Sequence, residues 1–237
     1  MAEEQQRRVC VIPCGGASTR LGMHRNKCLV EVNGKPVLQY VVEFWRQCGV
    51  HDFVFIVNGD GLAEIASVVA TMQLLRRPTF ISRGDVANLA LAITLANPYV
   101  DDNFILALGD CLQVGVFAKN WQSVQFGCGV CSASEYELRK SYLVEETDQR
   151  VIRLVEKPDV SKGLCGMGTW FLPRKIFEYI ARLRLQPSAT SANLADALQL
   201  MLDNGEKMHP VPFIGRYVNV TYPEDLETAK TMLVKGA

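Results

Sequence analysis

The stretch "VCVIPCGGASTRLGMHRNK", Val9 to Lys27, decides how the chain is read. Its first five residues form a short apolar run, the pattern of a strand buried on both faces. The run breaks into Cys14, the paired glycines Gly15 and Gly16, and then Ala17, Ser18 and Thr19. One arginine, Arg20, comes next, and one lysine, Lys27, stands seven positions later. Neither a core strand nor an amphipathic helix needs that order. A loop that wraps a polyphosphate does. Glycines let backbone N–H groups approach phosphate oxygens, Arg20 adds a fork of donors, and Lys27 adds a compact charge. A glycine-rich turn carrying two solvated cations is the alternative reading of the loop alone. The loop matches neither GxxxxGK[ST] nor GxGxxG.

Outward from this stretch, apolar runs alternate with helical patterns. "PVLQYVVEFWRQCG" places Val37, Leu38, Val41, Val42, Phe44, Trp45 and Cys48 on one broad face, with Pro36 at its start and Gly49 at its stop. "DFVFIVNG" is a second buried strand. Leu62 to Leu75 reads as helix, "TFIS" as strand, Val86 to Ala96 as helix, and "NFILALGD" as strand. The second half reads as strands at "FGCGVCSA", "SYLVEE", "RVIRLVEKP" and "CGMGTWFLP". Helices follow near Arg174 to Leu183 and Leu194 to Asn204, then short strands "HPVPF" and "RYVNV", then a helix from Pro223 to about Val234. Strand–helix alternation with short connections predicts an α/β fold: a Rossmann-like, doubly wound, mostly parallel sheet. The expectation is one domain over 1–237, with a first half of about 9–125 and a second of about 126–237.

The chain has 237 residues, 49% hydrophobic and 21% charged, with a formal net charge of zero. That balance suits an ordinary core and argues against nucleic acid or a membrane surface as partner. No apolar run approaches the ~20 residues of a membrane span. The polar start, "MAEEQQRR", does not read as a signal peptide, so a cytoplasmic location is expected. The eight cysteines are scattered and read as reduced thiols. Cys128 and Cys131 form a CxxC inside an apolar run, without the second pair or histidine cluster of a zinc site. Asp110 ends a buried apolar strand after Gly109, where a hard cation beside phosphates finds an oxygen ligand, or where an ordinary turn finds its aspartate.

These features together resemble the sugar-1-phosphate nucleotidyltransferase family, the NDP-sugar pyrophosphorylases. The resemblance rests on Gly15, Gly16, Ser18, Thr19, Arg20 and Leu21, then Lys27 and "NGKP". It continues through Gly109-Asp110, then Glu156-Lys157-Pro158, "GMGTWFLPRKIFEYI", and "NVTYPEDLETA". It covers nearly the whole chain, in order. It implies attack of a phosphate oxygen on the α-phosphorus of an NTP, with release of pyrophosphate and Mg²⁺ as cofactor. By resemblance Arg20 and Lys27 hold the NTP phosphates, and Cys14 to Thr19 form the nucleotide loop. Lys157 sits on the acceptor phosphate. Glu156 and Thr169 belong to a smaller acceptor-binding β/α region. Asp110 and Asn219 ligate the metal, Asn219 standing where many relatives have Asp.

The chain departs from the family in two further places. Leu143 follows Tyr142 where many hexose-specific members have glycine, and is expected to crowd a sugar. "RGDVANLALAI" replaces a glycine-rich turn, and Asn88 is either a base or ribose contact or the cap of its helix. The expected activity is therefore a nucleotidyltransferase acting on a sugar 1-phosphate or a similar small phosphate monoester. Alternatives are a cytidylyltransferase-type enzyme for phosphocholine or a phosphonate, and an inactive nucleotide-binding relative. A homo-oligomer is compatible with the family.

Overall fold

The computed structural model describes residues 8–16, 19–22, 26–84, 86, 88–156, 158–185 and 193–234. The chain opens with β1 (Val9–Cys14), a small hairpin of β2 (Glu31–Val32) and β3 (Lys35–Pro36), and α1 (Val37–Gln47). It continues through β4 (Asp52–Val57), α2 (Leu62–Ala70), β5 (Thr79–Ser82), α3 (Leu89–Thr94), β6 (Asn103–Ala107) and β7 (Cys111–Phe117). The second half holds β8 (Gly127–Ser134), α4 (Glu135–Lys140), β9 (Tyr142–Thr147), β10 (Arg150–Glu156) and β11 (Lys162–Pro173). It closes with α5 (Ile176–Arg184), α6 (Leu194–Asp203), β12 (His209–Asn219) and α7 (Pro223–Val234).

One ten-stranded sheet runs in the order β5-β4-β1-β6-β11-β8-β12-β7, and the β9–β10 hairpin joins it through β11. β5, β4, β1 and β6 are parallel, the order of a Rossmann-like half. β11 then runs antiparallel to β6 and to β8, and β12 runs parallel to β8. Helices cover both faces, so the central strands are buried on both. Along β1, Cys10, Ile12 and Cys14 enter one apolar cluster with α1 and α7, while Val9 and Val11 enter the other with α3, α5 and α6. That two-sided burial is why the run reads as continuously apolar and not as alternating.

The β2–β3 hairpin, β7 and α4 were not expected from the sequence, and three expected elements differ in their bounds. The helix expected to reach Leu75 stops at Ala70, and Gln73 takes a positive φ of 49°. The helix expected from Val86 begins at Leu89, because Asn88 accepts the Leu91 N–H at 2.9 Å and caps it. "HPVPF" and "RYVNV" are one strand that changes partner. Its first residues pair with β8, and Phe213 to Asn219 pair antiparallel with β7. Gly215 and Gly115 face each other there, both at φ 150°. A Cβ on either would lie 2.2–2.3 Å from a carbonyl oxygen of the opposite strand. The close approach sets the register that carries β12 to Asn219.

Gly215→Ala should therefore destabilise the fold by about 1–3 kcal/mol, the usual cost of forcing atoms into a packed site. A urea titration of the variant beside the parent reads this as a lower midpoint at unchanged slope. An unchanged midpoint would show that the ribbon can open at that point without cost.

Candidate functional site

β1, β4, β5 and β6 end at one edge of the sheet, the edge where open α/β sheets bind ligands. The chain leaves β1 through Gly15 and Gly16, and protein donors hold three successive carbonyls there. Asn26 Nδ2 donates to Cys14 O at 2.5 Å, Asn58 Nδ2 to Gly15 O at 3.0 Å, and the Lys27 N–H to Gly16 O at 3.0 Å. With its carbonyls turned into the protein, this turn offers its N–H groups outward. Asn26 also accepts the Cys28 N–H at 3.0 Å and so starts the short 3-10 turn that carries Lys27. Asn58 closes β4 and was not read from the sequence. Its position, just past the end of a buried strand, is the signal that could have found it.

Lys27 reaches across to the far end of the chain. Its Nζ donates to Asp110 Oδ2 at 2.6 Å and to Thr221 Oγ1 at 3.1 Å. Thr221 Oγ1 in turn donates to Asn219 Oδ1 at 3.0 Å. Asp110 and Asn219 are neighbours because Cys111 pairs with Asn219 in the β7–β12 ladder, and the Val220 N–H donates to Asp110 O at 3.0 Å. Gly109 makes the turn possible, since a Cβ there would lie 2.8 Å from Cys28 Sγ and 3.2 Å from Pro13 O.

Behind this group lies a buried ion pair. Lys140 Nζ meets Asp225 Oδ1 at 2.5 Å, with side chains 5% and 1% exposed. Asp225 Oδ2 accepts the N–H groups of Thr221 at 2.8 Å and Tyr222 at 2.7 Å, and Tyr136 donates to Oδ1 at 3.0 Å. Lys140 also reaches Glu137 at 3.1 Å and Asn219 O at 3.4 Å. Burial alone would raise the Asp225 pKa. The Lys140 hydrogen bond, the two backbone donors and the Lys140 charge outweigh it and hold the carboxyl below its ordinary value. Glu137 goes the other way, pushed up by burial against the pull of Lys140.

Two cavities open at this edge. One, of about 330 Å³, is lined by Gly15, Gly16, Arg83, Leu89, Leu108 and Asp110, among others. The second, of about 230 Å³, is lined by Tyr142, Glu156, Trp170, Leu198 and Asn219, among others, and shares Leu89 and Leu108 with the first. Asp110 thus lines one cavity and Asn219 the other. Two wider surface hollows, about 610 and 660 Å³, contain neither residue.

The sequence-derived candidates fall into place unevenly. Gly15, Gly16, Lys27, Asp110 and Asn219 converge, and Glu156 joins the second cavity. Cys14 is buried beneath the loop. Arg20 is exposed on a short 3-10 turn, outside both cavity linings. Asn88 caps α3. Leu143 is not at the cavity. Successive residues of a strand face opposite ways, so Tyr142 lines it while Leu143 packs over Gly163 and toward Leu138. Thr169 is likewise on the reverse face of β11, fully buried, and accepts from Gln113 at 3.3 Å. Ala17, Ser18, Lys157 and the Thr19 side chain lie outside the described residues. Arg83 and Asp225 lay within motifs quoted from the sequence but were given no role there, and Lys140 was not read from it.

The cysteines form no metal cage. All eight are free thiols, and among the described residues no group of three or more His, Cys, Asp or Glu could hold a metal ion. In the CxxC, burial pushes Cys128 up to about 12, while a hydrogen bond from Cys165 lowers Cys131. Among the described residues no helix is long and apolar enough to cross a membrane.

Comparison with known proteins identifies the family and the fold. Residues 9–233 match the family described as Nucleotidyl transferase. The low-salt glycan biosynthesis nucleotidyltransferase Agl11 of Haloferax volcanii is 29% identical over 237 residues, covering 95% of this chain and 66% of that protein. A glucose-1-phosphate thymidylyltransferase of Streptomyces griseus is 29% identical over 216 residues, covering 86% and 60%. The chain thus spans less than two thirds of the length of either relative. In fold, the inositol-1-phosphate CTP transferase from T. maritima superposes with a TM-score of 0.79 at 19% identity, covering 97% of this chain and 96% of that one.

The buried pair makes a pH prediction. Asp225 has a lowered native pKa, so its contribution is complete above the ordinary carboxylate value of ~3.9 and fades as pH falls through the native value. Glu137 contributes with the opposite sign, so the comparison must be with a variant. Asp225→Asn should cost about 3–5 kcal/mol at neutral pH by leaving Lys140 underpaired, and the gap to the parent should narrow below pH ~4. Adding Lys140→Met should recover part of the loss. Urea melts at several pH values read all three, and a pH-independent gap would remove Asp225 from the acid response.

Proposed function

The chain belongs to the nucleotidyl transferase family, and from that premise we propose that it is an active enzyme that transfers a nucleoside monophosphate from an NTP to a sugar 1-phosphate, releasing pyrophosphate. One observation carries the reading. Two adjoining cavities, one floored by a glycine turn and one lined by Glu156, share Leu89 and Leu108, with Asp110 on the first and Asn219, the strand partner of Cys111, on the second. That is the arrangement a reaction between two phosphorylated ligands needs.

The acceptor phosphate is largely dianionic near neutral pH, with a second pKa of ~6, and arrives deprotonated. A new P–O bond forms at the α-phosphorus while the bond to the bridging oxygen of the β-phosphate breaks. The proposed work of the protein is to relieve repulsion between anions and to align them. The N–H groups of Gly15 and Gly16, with Lys27 and Arg20, bind the triphosphate and the departing pyrophosphate. Lys157 holds the acceptor phosphate, and Glu156 accepts from acceptor hydroxyls. Lys27 pairs with Asp110 at 2.6 Å, so an incoming polyphosphate competes for a cation already in place.

The Asp110 carboxylate and the Asn219 amide oxygen fit Mg²⁺ in kind: two hard oxygen donors, adjacent, beside the space for phosphates. Thr221 occupies one lone pair of Asn219 Oδ1 and leaves the other. Bound there, the ion would supply positive charge to phosphate oxygens.

A screen of four NTPs against sugar 1-phosphates, phosphocholine and aminoethylphosphonate, read as pyrophosphate release with Mg²⁺, tests the proposal. Nucleotide binding without release from any pair would favour a silent relative. Arg20→Ala, at an exposed loop position, should leave stability within about 0.5 kcal/mol and lower turnover by ~30- to 1000-fold. Asp110→Asn should abolish release at ordinary Mg²⁺. Asn219→Asp should keep activity and lower the Mg²⁺ concentration needed for half-maximal rate. An unchanged Mg²⁺ dependence in Asn219→Asp would take Asn219 out of the metal site.

A further inference from the structure

Resting on the acceptor role proposed above for the 230 Å³ cavity, we infer that it takes a sugar 1-phosphate whose buried face is poor in hydroxyls, a deoxygenated sugar. Among the described residues, the hydroxyl and ammonium groups of its deeper lining are already bonded within the protein. Tyr142 OH donates to Met167 O at 3.2 Å, and Ser141 Oγ donates to Gly166 O at 2.6 Å. Tyr217 OH accepts the Gly168 N–H at 3.0 Å and meets Cys111 Sγ at 3.2 Å. Lys140 has three ammonium hydrogens and three oxygens to receive them: Asp225 Oδ1, Glu137 Oε1 and Asn219 O. Trp170 Nε1 is buried, with almost no surface of its own and no hydrogen-bond partner in the protein.

Among the described residues, what remains on the cavity floor is mostly carbon. Leu154, Met167, Leu194 and Leu198 line the cavity with the rings of Tyr142 and Trp170, which stack at 5.8 Å and 11°. Polar groups of the lining that sit nearer solvent are the exposed Glu156 and the half-buried Asn193 and Asn219. A hydroxyl pressed onto the apolar part of this floor, away from the Ser141 and Tyr142 oxygens, loses water and gains no partner, which costs ~10- to 100-fold in affinity. Replacing it with hydrogen removes that cost and adds apolar contact. The preference is bounded, because an apolar pocket rejects an added hydroxyl by only ~100-fold. It arises from the cavity face of β9, β10, β11 and α6, and Leu143 has no part in it.

The test is calorimetric binding to the intact protein, with Mg²⁺ and each of four non-hydrolysable NTP analogues. The ligands are glucose 1-phosphate, its 2-, 3-, 4- and 6-deoxy analogues, and inorganic phosphate. At least one deoxy analogue should bind ~10- to 100-fold more tightly than glucose 1-phosphate. Glucose 1-phosphate binding as tightly as every analogue would overturn the inference. So would five sugar phosphates that bind no better than inorganic phosphate. Leu154→Gln, which puts a donor and an acceptor on the floor, should shrink the preference below about threefold. A folded variant that keeps the parent ratio also overturns the idea. Pyrophosphate release is followed separately. Selective binding without release sinks the catalytic proposal and keeps this one, and release with glucose 1-phosphate as best acceptor does the reverse.

Discussion

The Asp225 carboxylate, 1% exposed at the start of α7, has to be answered on every side. Lys140 supplies a charge, Tyr136 a hydroxyl, and Thr221 and Tyr222 their backbone N–H groups. An unmet carboxylate at that depth would be far more costly than any of these contacts is favourable. Three segments are therefore fixed to one another: α4, the turn after β12 and the start of α7. Asn219 and Thr221 sit inside that arrangement, and through Thr221 it extends to Lys27 and Asp110. A site assembled from the first loop and the last strand depends on this one point for its alignment.

The same constraint explains why the 230 Å³ cavity beside it is largely apolar. Lys140 lines the cavity, yet its three donors serve the buried carboxylate and its surroundings. A cation that must hold the scaffold together is not available to a ligand. Tyr217 and Ser141 are similarly occupied in holding β11 in place. Structural demands at the join between two halves of the sheet thus shape the chemistry of the pocket beside it.

Strand alternation decides which residues reach that pocket. Tyr142 and Trp170 face it, while their neighbours Leu143 and Thr169 face away. A shift of one residue would exchange the two sets. The register is held where Cys165 and Gly166 of β11 pair with Leu143 and Tyr142.

Local chemistry made part of this molecule legible from its sequence. β1, β4 and β6 are buried on both faces, so each had to be a continuous apolar run, and α1 had to show one broad apolar face. The glycine turn, Lys27 and Asp110 follow such runs directly and could be read beside them. β7 was not legible, because Gly115 and exposed positions break its pattern, and its pairing with β12 supplies what the sequence lacks. The face presented by Leu143 and Thr169 depends on register, which no local stretch records. The network around Asp225 joins residues 85 and 89 positions apart, and the bond from Lys27 to Thr221 spans 194. Sequence determined the doubly buried strands, the glycine turn and the kinds of charge available. Only the tertiary structure decided which charges meet, because burial made pairing obligatory and the folded sheet alone chose the partners.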